Sequence, residues 1–338
     1  MCDRDGDSAA GELVKAVVMS KYGGPEQLSP REVDEPVART GWVTVELRAS
    51  ALNWHDVLVR RGQYRSPLPH IPGADGAGVR TDTGEEVVLL PSLFWGDRPA
   101  APSSEFEILG DRVPGTYAQR VCVPEECLAP KPVDYSWAES AALPLVGVTS
   151  YRALVTRAGL RRGESLLIIG AGGGVATMAL SLATAVGART FVTASSQEKL
   201  ARARTSGAAG GVLHTDDDWP MQAKALAPED DGFDVILDPV GLWGRSVQAL
   251  RPGGRIVVLG ANVAERADMD VRGFYFGQYS LLGTTMGSPQ DFRGLLDLVA
   301  AGSVAPPTIA ATYPLADAAE AHRQLESGGQ FGKIVLIP

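Results

Sequence analysis

The sequence predicts an α/β protein in two parts, a β-rich domain followed by a doubly wound parallel-sheet domain, on three observations. The first is size: the chain has 338 residues, more than the roughly 250–300 at which a single hydrophobic core stops growing. The second is a change of texture at Ser136, where short β-favouring runs punctuated by Gly and Pro give way to Ala-rich helical stretches alternating with apolar strands. The third is composition: 45% apolar and 21% charged residues suit a chain that buries a core.

Taken in order, the N-terminal stretch MCDRDGDSAAGELVK carries acids early and no apolar run of leader length, so 1–13 reads as a short tail without a secretory address. Strand-like runs follow at Ala16–Met19, Trp42–Leu47 and Glu86–Leu90. Past Ser136 the helical stretches Ala138–Leu143 and Val148–Ala158 lead into the strands LLIIG, TFVTAS, DVILDPVG and RIVVLG with helical segments between them. This βαβα order predicts a parallel sheet covered on both faces. After Gly287 come an amphipathic helix at Phe292–Ala301, another near Ala316–Leu325 and a last strand, GKIVLIP, predicted to return to the first domain. The expected division is therefore 14–136 with 288–338 in one domain and 137–287 in the other. The uncharged run from Leu166 to Ala188 is long enough to imitate a membrane span, but Gly170 to Gly174 interrupt it, and a buried strand, tight loop and helix explain it better.

With 31 basic and 40 acidic residues the net charge is −9. No general field favours nucleic acid or anionic lipid, so an anionic ligand needs a local pocket. Cys2, Cys122 and Cys127 are odd in number and lack C-x-x-C spacing, which argues against a disulfide framework and a four-thiolate zinc site. A reducing cytoplasm is the expected location.

The run Ala171-Gly172-Gly173-Gly174-Val175-Ala176 follows the strand LLIIG and opens an apolar helix, the context in which a G-x-G-x-x-G/A fingerprint carries meaning; Ala replaces its first Gly. Small residues let backbone N–H groups approach a pyrophosphate, and the helix N-terminus adds positive potential there. A turn needed only for tight strand–helix packing would look similar. The second strand ends in Thr193-Ala194-Ser195-Ser196 and continues Gln197-Glu198-Lys199, with no acid at the strand end to accept bonds from a ribose 2′-hydroxyl. Ser195, Ser196 and Lys199 suit a 2′-phosphate instead and favour NADPH. In the competing reading Ser195 caps the next helix, Glu198 completes a capping box and Lys199 is solvated; the two readings are compatible. Asp238-Pro239-Val240-Gly241 and Gly260-Ala261-Asn262 end strands on the same carboxyl edge, making Val240, Gly260 and Ala261 further cofactor candidates, while Asp238 is equally a turn residue.

Together these runs resemble the medium-chain dehydrogenase/reductases, and within them the zinc-independent quinone oxidoreductase branch. The resemblance extends over nearly the whole chain: Tyr22-Gly23-Gly24-Pro25, Asn53-x-x-Asp56-x-x-x-Arg60-x-Gly62-x-Tyr64, Pro72-Gly73-Ala74-Asp75-Gly76-Ala77-Gly78, Ala141-Ala142-Leu143-Pro144, the nucleotide loop, Met286-Gly287 and Gly332-Lys333-Ile334-Val335. It implies a GroES-like catalytic domain, a Rossmann cofactor-binding domain, a cleft between them, and dimerisation through an edge strand, for which Tyr279–Gly283 is the apolar candidate. Phe331 and Lys333 would lie near the cofactor, Lys333 either on phosphate or as a solvated edge residue. Where zinc-dependent relatives carry Cys, His and Cys ligands, this chain has Asn53, Ala74 and Leu145, and the segment 92–115 has none of the four cysteines of their structural-zinc lobe. No bound metal is expected. That segment nonetheless has the length of the zinc-type lobe, with Phe94, Trp95 and Phe106 covering the cleft or packing the lobe itself.

Hydride chemistry without a metal suits a conjugated carbonyl, whose developing charge spreads into an enolate held by hydrogen bonds. The resemblance makes Asn53 and Tyr64 the expected donors, each with a bland alternative, a backbone-bonded turn residue and an amphipathic rim residue. Asp56 and Arg60, four apart, suggest an ion pair on one helix face. His55 reads as an acid or base near neutrality or as a packed neighbour of Trp54. Asp75 reads as a buried partner for a basic group or as a remnant of the relatives' acid beside the metal. The expected function is NADPH-dependent, zinc-independent reduction of quinones or α,β-unsaturated carbonyls on a small-molecule substrate, without membrane or nucleic acid and as a homodimer. Alternatives are an alcohol or aldehyde reductase of the same superfamily and a non-catalytic NADPH-binding protein.

Overall fold

The computed structural model describes residues 12–338, so all but the last two residues of the expected tail lie outside the described residues. Two sheets organise the chain. In the first, Gly210–Leu213, Arg189–Ala194, Ser165–Ile168, Phe233–Asp238, Leu250–Val258 and Ser280–Gly283 lie side by side in that order, every neighbouring pair parallel. Alternation between two covered faces explains why the inner strands carry apolar residues at successive positions. Leu166 and Ile168 face one cluster, which includes Met178 and Leu182 of the helix Gly174–Val186, while Leu167 and Ile169 face another, which includes Trp219 and Ala223 of the helix Trp219–Leu226.

In the second sheet the order is Ile309–Pro314, Lys333–Ile337, Trp42–Ala51, Asp75–Arg80, Glu86–Leu89 and Leu128–Pro130, with Arg120–Pro124 also paired to Trp42–Ala51. The last strand of the chain thus inserts beside a strand from its beginning, antiparallel, Val335 opposite Ala51. The apolar core runs without a break from Val45 and Leu47 of this sheet, through Leu143 and Val148, to Ile168 of the first.

The helix Trp137–Ala142 packs on the strands Trp42–Ala51 and Asp75–Arg80, whereas the next helix, Pro144–Tyr151, packs on Gly174–Val186 and Pro289–Ala300. The helical run expected over Val148–Ala158 changes character: past Tyr151 it continues as a π-helix, Arg152–Arg157. Its Arg152 ion-pairs with Asp291 at 2.8 Å and places its guanidinium 4.8 Å over Trp95. Trp95 is buried, edge-on to Phe106 at 5.3 Å, so the aromatic residues of the 92–115 segment pack the protein body and do not line the cleft.

Candidate active site in the cleft between the sheets

A cleft of about 1410 Å³ opens between the two sheets, with walls from both. One wall is the carboxyl edge of the parallel sheet, where ligands of such sheets bind. Ala171, Gly173, Gly174 and Val175 line it after the strand Ser165–Ile168, Ser195 and Lys199 after Arg189–Ala194, Val240 after Phe233–Asp238, and Gly260 and Ala261 after Leu250–Val258. No side chain caps the N-terminus of the helix Gly174–Val186, so its first-turn N–H groups remain available to an anionic oxygen. Bulk is excluded here by close approach. A Cβ on Gly260 would sit 2.1 Å from the Pro239 carbonyl oxygen, and one on Gly174 would sit 2.8 Å from Lys333 Cδ.

Asp238 is held as a turn residue: its Oδ1 accepts from Val240 N at 3.0 Å and Gly241 N at 2.9 Å. At the far end of the wall the helix cap differs from the expectation. Ser196, not Ser195, is the N-cap of Gln197–Thr205, its hydroxyl accepting from Lys199 N, and Glu198 completes no capping box. Ser196 is outside the cleft lining, leaving Ser195 facing it beside Lys199 and His214. Lys199 Nζ donates to the Gly328 carbonyl at 2.5 Å. Burial, and then the Lys199 charge, hold His214 below the ordinary imidazole range. Phe331 also departs from its expected place: it is buried in the core with the Arg202 guanidinium 4.6 Å over its ring, and it does not line the cleft.

The opposite wall comes from the second sheet. Lys333, at the start of the last strand, is neither solvated nor at an open edge: it is 4% exposed. Its Nζ donates to Asn53 Oδ1 at 2.5 Å and Asp75 Oδ2 at 3.0 Å. Asp75, fully buried, also accepts from Asn53 Nδ2 at 2.9 Å and, through Oδ1, from Leu145 N at 2.8 Å. Asp75 is thus the buried partner of a base. Both amide hydrogens of Asn53 are spent inside the protein, on Asp75 and the Ala51 carbonyl, so the expected donation from Asn53 to a substrate oxygen has no free hydrogen to use. Asn53 instead fixes the Lys333 ammonium. Backbone bonding fastens this group to the other wall, since Gly332 N donates to the Gly172 carbonyl of the nucleotide loop at 3.0 Å.

Behind Asn53 the helix Trp54–Arg60 begins with a capping box in which Asp56 Oδ2 accepts from Asn53 N at 2.8 Å. The expected Asp56–Arg60 pair is absent: Arg60 bonds Glu326 at 2.7 Å and the Gly23 carbonyl, while Asp56 faces inward to the Tyr117 hydroxyl, which also bonds His322 Nε2. Burial raises the Asp56 carboxyl to about 6, against opposition from His55, the Asn53 N–H and Lys333. Burial also pushes His322 down to about 3. At the mouth, Tyr64 is 42% exposed, and burial, then the Asp111 charge, raise its phenol. Its ring lies 4.6 Å from that of His55, whose Nε2 meets Asp111 Oδ1 at 2.5 Å.

Among the described residues no three His, Cys, Asp or Glu side chains gather as a metal site. At the three positions where zinc ligands were expected of relatives, Asn53 is committed to Lys333 and Asp75, Ala74 offers a methyl, and Leu145 an isobutyl group. This donor set does not fit zinc.

Comparison with known proteins decides the family. Residues 39–133 match the alcohol dehydrogenase GroES-like domain and 174–301 the zinc-binding dehydrogenase family. The chain is 30% identical to a mouse quinone oxidoreductase over 96% of this chain and 98% of that protein. It is also 30% identical to a chloroplastic NADPH-dependent alkenal/one oxidoreductase of Arabidopsis thaliana, over 98% and 81% respectively. A crystal structure of an NAD-dependent alcohol dehydrogenase superposes with a TM-score of 0.90 at 37% identity, covering 96% of this chain and 99% of that one.

The chain belongs to the medium-chain dehydrogenase/reductase superfamily. Its parallel sheet is the Rossmann domain and its mixed sheet the GroES-like domain of that superfamily, and it is an oxidoreductase that works with a dinucleotide. Asp111 and His214 were assigned no role from the sequence. Asp111 is 56 positions from His55, and no local pattern could have paired them.

Proposed function

We propose that this oxidoreductase uses NADPH to reduce quinones or α,β-unsaturated carbonyls without a metal. The observation that carries the reading is the ammonium of Lys333, held by Asn53 and Asp75 in the wall facing the nucleotide loop, where the donor set rejects zinc. When bound, the reduced nicotinamide supplies the hydride. The uncapped helix start at Gly174 and the open space beside Gly173 suit the pyrophosphate; Ser195 and Lys199 suit a 2′-phosphate, with no acid at that strand end to repel it. A simple ketone gains charge on one oxygen and wants a strong Lewis acid, whereas a conjugated carbonyl spreads the charge and is served by hydrogen bonds. Tyr64 stands at the mouth as a donor, and Asn53 as the residue that positions Lys333.

Ser280–Gly283 is the edge of the parallel sheet, flanked by exposed Val271, Tyr275 and Phe276, and this edge is the surface proposed for a second copy of the chain. No helix among the described residues is long and apolar enough to cross a membrane. An alcohol or aldehyde reductase is the second reading, favoured by the likeness to the alcohol dehydrogenase structure.

The test is cofactor oxidation with a quinone, an enone and a simple ketone, using NADPH or NADH, before and after chelator. Chelator-resistant turnover of the quinone or enone with NADPH is expected, and Lys199→Gln should erode the preference for NADPH about tenfold, the worth of one exposed charge-assisted bond. Ketone turnover abolished by chelator would establish the second reading instead.

A further inference from the structure

The 92–115 segment, whose aromatic residues pack the protein body, also sends one carboxylate to a histidine of the cleft wall. Ser92–Leu93 pairs antiparallel with Glu107–Ile108, and the turn that follows is rigidly made. Glu107 Oε1 accepts from Arg112 N and Val113 N at 2.8 and 2.9 Å, and Asp111 N donates to the Ile108 carbonyl. Gly110 takes φ 87° so close to Gly73 that a Cβ would lie 2.6 Å from its carbonyl oxygen, which restricts the position to glycine. His70 Nε2 bonds the Gly110 carbonyl at 2.8 Å from the other side. The result is a carboxylate fixed by backbone geometry and aimed at a histidine.

That histidine is His55, near the start of the helix Trp54–Arg60, on the cleft wall with Asn53 and Tyr64. Its Nε2 is 2.5 Å from Asp111 Oδ1, the two side chains being 12% and 14% exposed. Nδ1 has no hydrogen-bond partner among the described residues. A carboxylate on one ring nitrogen fixes the ring and favours the imidazolium, leaving the other N–H to serve a substrate.

We propose that His55, oriented by Asp111, is the catalytic proton donor, delivering the Nδ1 proton to the substrate as hydride arrives. This rests on the enone and quinone reading. For an enone the steps balance as follows: hydride forms the new C–H bond at the β-carbon, the C=C pair shifts toward the carbonyl as an enolate, and the His55 Nδ1–H bond breaks to protonate the α-carbon. The saturated ketone leaves, the two electrons having come from the reduced nicotinamide, and solvent restores the proton to His55. For a quinone the proton goes to the oxygen.

Burial by itself would lower the His55 pKa; the bond to Asp111, with the negative charges of Asp111 and Asp56, outweighs it and leaves the imidazole raised. The titratable groups around the ring are Asp111 from the segment, Asp56 from its own helix and the Tyr64 phenol beyond that helix; Lys333 acts on Asp56 from the last strand.

The test is the pH profile of kcat/KM for enone reduction by the wild type, His55→Gln and Asp111→Asn, beside NADPH affinity measured by fluorescence. The wild type should lose activity as pH rises past the His55 pKa. His55→Gln should lose that limb and about 100-fold or more in rate, the scale of general acid catalysis, with NADPH affinity unchanged. Asp111→Asn, which keeps the shape, should move the limb to lower pH. A limb that survives unmoved in either variant overturns the proposal, and where His55→Gln does not fold, Asp111→Asn decides alone. Absence of wild-type turnover with every quinone and enone overturns the functional reading and this proposal together, whereas wild-type turnover with an unmoved limb overturns only the role of His55.

Discussion

The two walls of the cleft are built on different principles. The wall proposed for the cofactor is made of strand ends and the loops that follow them, drawn from short local stretches: 171–175, Ser195 with Lys199, 239–240 and 260–261. The substrate wall is made of side chains that the fold collects from far apart. Lys333 meets Asp75 across 258 positions and Asn53 across 280, and His55 meets Asp111 across 56. A wall of backbone tolerates many side chains but few added atoms, while a wall of buried charges tolerates neither loss of a partner nor change of sign.

The largest effect is expected on the substrate wall. Lys333→Met leaves Asp75 buried and unpaired, which should lower stability by about 3–5 kcal/mol, read as the denaturant midpoint. Adding Asp75→Asn to that variant should restore a substantial part, because the stranded charge is gone. A Lys333→Met protein as stable as the wild type would remove the ammonium from its place in this account.

On the cofactor wall the sensitive quantity is space. Gly174→Val presses on Lys333 Cδ and Val146 and sets a branched side chain at the uncapped helix start, so NADPH affinity should fall about tenfold, or about 1.4 kcal/mol, in fluorescence titration with the fold retained. Unchanged affinity would place the pyrophosphate elsewhere.

The smallest effect concerns the buried Asp56–Tyr117–His322 group behind the substrate wall. His322 is held near about 3, below its ordinary 6.5, so its contribution to stability is present above 6.5 and lost as pH falls toward 3. The Asp56 carboxyl is raised from 3.8 to about 6, so its contribution is present below 3.8 and lost as pH rises through 6. Between about pH 4 and 6 the two slopes oppose and nearly cancel. Asp56→Asn removes one of them. Relative to the wild type, that variant should lose up to about 1.4 kcal/mol per pH unit as pH falls through this window, measured by urea midpoints. Parallel curves would show that the two groups do not titrate as a compensating pair.

The same contrast explains what the sequence made legible. Both sheets, the crossing of the chain at its end and most of the cofactor wall are written in local patterns: apolar strands ending in small residues, and a helix opening on Gly174. The exceptions are instructive. Ser196 took the cap expected of Ser195 because the helix starts one residue later, and Phe331 turned inward to stack beneath Arg202. On the substrate wall the residue types were visible but not their partners. Asn53 was expected as a donor and proves to be occupied, Asp56 and Arg60 face different partners despite their helical spacing, and Asp111 drew no notice because its meaning depends on a turn that Gly110 closes against Gly73.

The central claim is that hydride crosses from NADPH to the β-carbon of a conjugated carbonyl in this cleft without a metal. Its most direct measurement is NMR of the product formed by chelator-treated protein from an enone and NADPH bearing deuterium at nicotinamide C4, in ordinary water. Deuterium at the β-carbon with a solvent-derived hydrogen at the α-carbon is the expected result. Deuterium at the carbonyl carbon of an alcohol product, or no transfer until zinc is restored, would contradict it.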